Sequence, residues 1–199
     1  MQQVITILLL LVFSQQLNAQ DGIDLVSLGN KEMNDRNYVK ADYYYSLALS
    51  KEPQNWNLYT LLGFSKHKQQ KYQEADSLFS ITIQNDSNSS RAHWNKGLNY
   101  IKLKKDSLCI KHYKKFIQLE RNNRPSGLID AYKQVGIAYE RILRKKGLTT
   151  SQIDDMIFHL SQIELMDPYL PDVPLINNFI EKVKLLRPKS QIGLWILTE

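Results

Sequence analysis

The sequence repeats itself with a period of 34 residues. Three glycines, Gly29, Gly63 and Gly97, mark the period, and two further columns keep the same register. One column holds the small residues and the other the aromatic residues: Ala41, Ala75 and Cys109, then Tyr45, Phe79 and Tyr113. A fixed period of this length indicates one supersecondary unit that is copied and stacked, so the chain is restricted to a repeat architecture.

Each period predicts two helices joined by a short polar turn. The small residue and the aromatic residue of a period are four positions apart, which places both side chains on one face of a helix. With 43% hydrophobic residues, 8 glycines and 6 prolines, the composition is that of a packed globular protein. The single cysteine excludes an intramolecular disulfide, so packing has to supply the stability.

This pattern resembles the tetratricopeptide repeat (TPR), a helix-turn-helix unit with small residues at its eighth and twentieth positions and an aromatic residue at its twenty-fourth. The resemblance implies an all-α fold, a right-handed TPR-type solenoid of helical hairpins that ends in a C-terminal capping helix. Within region 20–123, the three clear repeats are predicted at 22–55, 56–89 and 90–123. The glycine column fills the eighth position, where the two helices of a hairpin cross closely.

A fourth, degenerate unit is predicted over residues 124–170. Gly136 fills the glycine column, but it lies 39 residues after Gly97 rather than 34. Met156 and Leu160 occupy the positions of the small and the aromatic residue. Because neither residue fits its column, we expect the helices of this unit to form a wider pair.

The ends of the later helices also carry signals. The first helix of the fourth unit is predicted to end at Gly147, and Ser151 with Asp154 resembles a capping box at the start of the second. Residues 171–199 are predicted to form a capping helix, which starts near Pro174, and an apolar tail. An apolar stripe at helical spacing indicates this helix. The stripe consists of Leu175, Ile176, Phe179, Ile180, Val183 and Leu186.

Residues 1–19 are predicted to be a secretory signal peptide. They contain no charged side chain, and the stretch 4–13 has only one polar residue. This apolar stretch is too short to span a bilayer. Ala19 precedes the predicted cleavage site and Gln20 follows it. The alternative, a buried or amphipathic first helix, would need polar residues at helical spacing. The chain is therefore expected to be exported, to the periplasm or outside the cell, with no transmembrane span left after cleavage.

The net charge is +6 and the pI about 9.2, but the basic residues are spread over the chain, so no nucleic-acid partner is expected. Basic residues concentrate in the segments 103–106, 111–115 and 141–146. Such helix faces are suited to a polyanion or to lipid headgroups. The other interpretation is ordinary solvated faces, because Asp106 and Glu120 are interleaved.

The sequence contains few residues of the kind that catalysis or metal binding requires. Cys109 and His112 have a spacing that suits two metal ligands, yet Cys109 stands in the column of alanines, which favours packing. His67, His93 and His159 lack a carboxylate at ligand spacing, and no phosphate loop or nucleophile motif is present. We therefore predict a noncatalytic protein without a metal or cofactor. The rival hypothesis is an enzyme in the fourth unit that uses His159 or Glu140.

In TPR solenoids the first helices line a concave groove that holds a protein or peptide, and the resemblance implies such a groove here. Phe64 and Trp94 are its predicted aromatic anchors, although Trp94 has the alternative of contacting neighbouring units. The predicted partner-binding residues are Asn30, Met33, Phe64, His67, Lys68, Arg91, Trp94, Leu98, Ile101, Lys102, Lys133 and Arg141.

The carboxylate clamp of some family members is not expected in this chain. Only Asn30 and Arg91 match its residues. The positions that need Lys, Asn and a basic residue hold Val26, Leu61 and Asn95. The sequence thus predicts an exported, noncatalytic TPR scaffold for a protein or peptide partner, and leaves its oligomeric state open. The alternative is a cell-envelope protein that binds a polyanion or lipid headgroups through its basic helix faces.

Overall fold

The computed structural model describes residues 24–122 and 127–185, together with the backbone of residues 188–189 and 194–195. The predicted signal peptide, residues 1–19, lies outside the described residues. Nine helices run through the part of the chain that is described. They are α1 (24–34), α2 (Tyr38–Lys51), α3 (Trp56–Lys68), α4 (Tyr72–Asn85), α5 (Ser90–Lys102), α6 (Asp106–Glu120), α7 (Gly127–Lys146), α8 (Thr150–Met166) and α9 (Val173–Lys184).

The chain divides into two compact units, residues 1–92 and residues 93–199. The described part of the first unit contains the hairpins α1–α2 and α3–α4 and the first residues of α5. The second unit contains the rest of α5 and the helices α6 to α9. None of the described helices combines the length and the apolar character that a membrane span requires.

The 34-residue period is visible in the backbone of the turns that join the two helices of each repeat. Arg36, Gln70 and Lys104 have positive φ angles of 61°, 64° and 55°. In each turn the next amide N–H donates to the carbonyl oxygen five residues earlier, over 2.8–3.0 Å. This is the Schellman arrangement, which satisfies the carbonyl groups at the end of the first helix. The sequence hides this feature because none of the three left-handed residues is glycine.

The glycine column exists because an aromatic ring lies against each glycine. A Cβ atom added to Gly63 would lie 2.7 Å from Cε1 of Phe79, well inside van der Waals contact. The same crowding is found at Gly29 with Tyr45 and at Gly97 with Tyr113, where the distances are 2.5 and 2.9 Å. The aromatic side chains are fully buried. Any side chain at the glycine column would therefore push the two helices of a hairpin apart.

The fourth unit keeps this contact with a different residue. Leu160 of α8 lies directly against Gly136 of α7, closer than a Cβ atom would permit, and Met156 is fully buried beside them. Our expectation of a wider helix pair is therefore wrong, because a leucine fills the space that an aromatic ring fills elsewhere. The first helix of the unit ends at Gly147, whose φ of 80° is left-handed.

The start of α8 corrects a second expectation. Thr149, not Ser151, is the N-cap: its hydroxyl accepts from the Gln152 N–H, and the Gln152 side chain accepts from the Thr149 N–H. Thr149 belongs to β1 (Leu148–Thr149), which pairs antiparallel with β3 (Leu194–Trp195); β2 (Pro188–Lys189) pairs with the other edge of β3. Thr149 and Gln152 match the capping-box pattern of Ser or Thr followed three residues later by Glu or Gln better than Ser151 and Asp154 do, so the prediction chose the wrong pair of two neighbouring signals.

The last helix, α9, follows the predicted start closely but not the whole predicted stripe. Ile180 and Val183 are buried in the core of the second unit, and Ile176 and Phe179 pack against it. Leu175, in the first turn of α9, is 71% exposed. Leu186 lies outside the described residues. In the predicted apolar tail, only the backbone of Leu194 and Trp195 is described, and there it pairs with β1 and β2.

The contact between Gly63 and Phe79 can be tested with a double-mutant cycle. Gly63→Ala is expected to lower the free energy of unfolding by about 1–3 kcal/mol, because the new methyl group collides with a buried ring. In a Phe79→Leu background the same substitution should cost clearly less, since leucine leaves room for the methyl group. Denaturant unfolding of the four proteins measures this coupling. Equal costs of Gly63→Ala in both backgrounds would show that the ring is not the obstacle.

A substitution at Gln70, whose backbone is in the left-handed region, is predicted to raise stability instead of lowering it. Gln70→Gly is expected to raise the free energy of unfolding by about 0.5–1 kcal/mol, because glycine adopts a φ of 64° without steric cost. Ser77→Gly, at an exposed position inside α4, is the matched control and should lower it by about 0.5–1 kcal/mol. Chemical denaturation compares the two variants. A loss of stability in both would contradict the left-handed turn.

Candidate functional site

A cleft of about 330 Å³ lies between α7 and α9 in the second unit. Its walls are mostly apolar, and two of its apolar side chains are open to solvent: Ile137 is 41% exposed and Leu175 is 71% exposed. The residues that line it are Lys133, Gly136, Ile137, Glu140, Leu160, Asp172, Leu175, Ile176 and Phe179. Exposed apolar side chains around a concavity mark a surface suited to an apolar group of a partner.

The close crossing of α7 and α8 shapes the floor of this cleft. Gly136 has no side chain, so Leu160 of α8 reaches the cleft floor. Helix α9 turns Ile180 and Val183 into the core, which leaves Leu175, Ile176 and Phe179 to form the second wall. The cleft thus depends on a glycine at the eighth position of the fourth unit and on an amphipathic α9.

Charged groups stand at the edges of the cleft. Lys133 Nζ of α7 lies 2.6 Å from Oδ2 of Asp172, which immediately precedes α9. Glu140 accepts two hydrogen bonds from the Arg144 guanidinium, over 3.0 and 2.8 Å. Because Asp172 is more than half exposed, the ion pair to Lys133 contributes about 1 kcal/mol or less and can exchange for a pair with a bound partner.

Six of the predicted partner-binding residues lie in the first unit. Asn30 is exposed and its Oδ1 accepts from the buried Tyr45 hydroxyl, while Met33 packs against the core cluster. Phe64 is half-buried, stacks on the buried His67, and carries Lys68 Nζ 5.1 Å above its ring. The structure therefore brings Phe64, His67 and Lys68 together.

Arg91 belongs to the same unit but lies apart from that group. It is exposed, and its Nη1 lies 3.5 Å from Oδ1 of Asn57. Asn57 opens α3 and Arg91 opens α5, so the two residues occupy equivalent places one period apart. The contact shows that the first turns of successive first helices are neighbours in this unit.

The other six lie in the second unit, and only Lys133 lines the cleft. Trp94 is half-buried with its ring 5.2 Å from Tyr113 and 4.9 Å from Phe116. Ile101 packs against the core, Leu98 is half-buried and Lys102 is exposed. Trp94 thus contacts α6, the second helix of its own repeat, whereas its alternative assignment was a contact with neighbouring units.

Arg141 is engaged away from the cleft. Its Nε donates to Oδ1 of the buried Asp106 over 2.6 Å, which ties α7 to the first turn of α6. A guanidinium that pairs with a buried carboxylate is costly to separate from it. Arg141 therefore has a structural contact besides its predicted role at the rim of a groove.

Sequence reasoning missed the α9 wall of the cleft. It assigned Leu175, Ile176 and Phe179 to the apolar stripe of a capping helix and named none of them as a partner-binding residue. The width of the stripe was the available signal, since Leu175 and Ile180 point about 140° apart around the helix and cannot both face one neighbouring helix.

The histidines and the cysteine have structural surroundings. Cys109 is fully buried, and burial raises the pKa of its thiol to about 12, so it stays protonated. His112 Nδ1 lies 3.0 Å from Nδ1 of His93, where one nitrogen donates and the other accepts. Among the residues that the structure describes, no group of three or more His, Cys, Asp or Glu side chains is arranged to hold a metal.

His159 does have a carboxylate neighbour, contrary to our expectation from spacing. Its Nδ1 donates to the Asp155 carbonyl oxygen over 2.7 Å and lies 3.7 Å from that residue's Oδ1. The Asp155 carboxylate also accepts from Lys114 Nζ, at 2.7 and 2.8 Å, and from the Tyr139 hydroxyl. The Asp155–His159 pair was visible in the sequence as an i, i+4 pair of α8, whereas Lys114 and Tyr139 join it from α6 and α7 and could not be assigned from spacing.

Burial shifts the pKa of His159, whereas hydrogen bonds decide the pKa of Asp155. Burial lowers the pKa of His159, so the ring is neutral near pH 7. Burial also raises the pKa of Asp155, but the hydrogen bonds from Lys114 and Tyr139 outweigh it and hold the pKa below its usual range. The carboxylate is therefore ionised and fully engaged, and it joins α6, α7 and α8.

Comparisons with known proteins identify the fold of this chain. No protein-family model matches the sequence, and no curated protein matches it. Among solved structures, a tetratricopeptide repeat protein from Parabacteroides merdae is 19% identical with a TM-score of 0.65, over 82% of this chain and 60% of that one. MamA is 15% identical with a TM-score of 0.63, over 82% of this chain and 86% of that one.

A third similar structure is the first TPR of Spaghetti (RPAP3), bound to the HSP90 peptide SRMEEVD. It is 21% identical with a TM-score of 0.56, over 62% of this chain and 94% of that one. Together with the repeated helical hairpins, these similarities confirm the predicted all-α fold class. The chain has the tetratricopeptide repeat fold.

Proposed function

We propose that this chain is an exported, noncatalytic scaffold that binds a protein or peptide, and that the cleft between α7 and α9 receives an apolar side chain of the partner. One observation carries the proposal: an open apolar cleft is built from the first helix of the fourth unit and from α9. Its volume of about 330 Å³ lies at the lower end of the range of ligand pockets.

The exposed walls of the cleft favour an apolar anchor. Covering Ile137 and Leu175 with a partner removes apolar surface from water, which stabilises a complex in proportion to the area covered. Lys133, Asp172 and Glu140 at the edges supply charges of both signs. They give a bound segment a preferred direction more than they add affinity.

The similar structures support a peptide ligand in general terms. The TPR domain of RPAP3 is bound to an HSP90 peptide in its structure. That peptide is acidic at its C-terminus, whereas the cleft in this chain is apolar with mixed charges at its edges. We therefore propose a partner that presents an apolar side chain rather than a terminal carboxylate.

The proposal that the protein is noncatalytic rests on the hydrogen bonds of its titratable side chains. The candidates for a hidden active site were His159 and Glu140. His159 Nδ1 donates to a backbone carbonyl within its own helix, and Glu140 is bonded to Arg144. The residues that line the α7–α9 cleft with Glu140 include no serine, threonine or cysteine. Their contacts support structural roles.

Export is proposed from residues 1–19 alone. Expression in a bacterium with a secretory pathway is expected to yield a mature protein that begins at or within about two residues of Gln20, as signal-peptide cleavage requires. Intact mass spectrometry of the purified protein measures this directly. A chain that keeps residues 1–19 in cells with an active signal peptidase would contradict export.

The cleft proposal is tested with a matched pair of leucines in the second unit. Leu175→Glu places a charge on the cleft wall, and Leu165→Glu places the same charge on α8, outside the cleft, where Leu165 is 75% exposed. Peptides selected against the wild-type chain should lose about tenfold or more in affinity for the Leu175→Glu protein, and almost none for the control. Fluorescence anisotropy measures both affinities.

Two results would contradict the cleft proposal. Equal affinities of both variants for the selected peptides would show that the cleft is not used. If the ligands dissociate equally from the wild-type chain and both variants as the salt concentration rises, the alternative function is favoured. That function is binding of a polyanion or lipid headgroups through the basic helix faces.

A further inference from the structure

Two pairs of lysines from separate parts of the second unit meet at one cleft. Lys104 and Lys105 belong to the turn before α6, and Lys145 and Lys146 end α7. The four lysines and the residues between them enclose about 410 Å³. The other lining residues are Asp106, Ser107, Leu108 and Ile142. Two of the three basic segments of the sequence are thus joined here, and the segment 111–115 is not.

The charge inside this basic cleft is poorly balanced. Asp106 is the only acidic residue among those that line it. Its Oδ1 already accepts from Arg141 Nε over 2.6 Å, and its Oδ2 lies 3.5 Å from Lys145 Nζ. One buried carboxylate therefore stands among four lysines and an arginine. The four lysines are exposed, so water and salt screen their mutual repulsion, and a bound anion would lower it further.

The backbone holds these lysines in place. Lys104 has the left-handed φ of 55° that ends α5, and Gly147, with a φ of 80°, ends α7 directly after Lys146. A basic residue in the last turn of a helix is favoured by the helix dipole, which accounts for Lys145 and Lys146 taken singly. It does not account for their meeting a second pair of lysines from another turn.

We propose that the basic cleft binds a phosphomonoester. A phosphate group has close to two negative charges at pH 7 and three acceptor oxygens, so it can bridge several ammonium groups at once. Ser107 adds a hydroxyl donor. Leu108 and Ile142 form an apolar side that suits the carbon skeleton next to the phosphate. This site is separate from the α7–α9 cleft and does not depend on the peptide proposal.

The size of the cleft favours a compact ligand over a long polymer. A volume of about 410 Å³ holds a phosphate group with a short carbon skeleton. The same group occurs in a soluble phosphate ester and in the headgroup of a lipid. Both sources present the same chemistry to the lysines, so the experiment has to separate them.

The test uses one variant and one matched control of the full chain. Lys104→Gln with Lys146→Gln removes two charges from the cleft without touching the ion pair of Asp106. Lys111→Gln with Lys115→Gln removes two charges from the basic segment that does not line the cleft. Thermal unfolding followed by circular dichroism establishes that both proteins stay folded.

The probes are glycerol 3-phosphate, measured by isothermal titration calorimetry, and vesicles of phosphatidylcholine with or without phosphatidic acid, measured by sedimentation. At about 0.15 M salt, the wild-type chain and the control should bind one or both phosphate probes. The cleft variant should bind them about tenfold more weakly or worse. Binding of glycerol 3-phosphate alone indicates a soluble ligand, and binding of the phosphatidic acid vesicles alone indicates a headgroup.

Three results would overturn the proposal. The first is absence of binding to both phosphate probes by the wild-type chain. The second is an equal loss in the cleft variant and the control, which would mean that only net charge matters. The third is binding of heparin at the same salt with neither phosphate probe bound, which would assign the lysines to a polymer. None of these outcomes affects the peptide proposal, whose variants lie on α8 and α9.

Discussion

The contact between a glycine and a large apolar side chain is the constraint on which each helical hairpin depends. At Gly29, Gly63 and Gly97 the partner is an aromatic ring of the second helix, and a Cβ atom at any of these positions would collide with it. The crossing distance of the hairpin is therefore set by the absence of one side chain. The close approach sets how near the first helix of each of these hairpins lies to the second.

The fourth unit shows how far the rule tolerates change. A leucine replaces the aromatic residue and still lies against Gly136, although α7 runs on for an extra turn before Gly147 ends it. The extra turn carries Lys145 and Lys146 to the turn ahead of α6. The same close crossing opens the floor of the α7–α9 cleft to Leu160. The degenerate unit thus creates both concave sites described for the second unit, one apolar and one basic.

The sequence was most informative where structure is periodic and local. The all-α fold class followed from the three columns, and the end of α7 followed from Gly147. The capping box was misplaced by two residues, because Thr149 with Gln152 and Ser151 with Asp154 offer competing local signals and the helix uses the first. The predicted partner-binding residues came from family positions. The structure gives Trp94 extensive contacts with α6 and gives Arg141 an ion pair with Asp106, which position alone does not reveal.

The sequence by itself determined the repeat, because a glycine and an aromatic residue at fixed spacing define one hairpin without reference to any other part of the chain. Only the tertiary structure decided where concave surfaces form. The α7–α9 cleft joins Ile137 to Leu175, and the basic cleft joins Lys104 to Lys146, across stretches with no common period. Such pairs are set by how whole helices pack, and packing depends on side-chain contacts among α6, α7, α8 and α9 together.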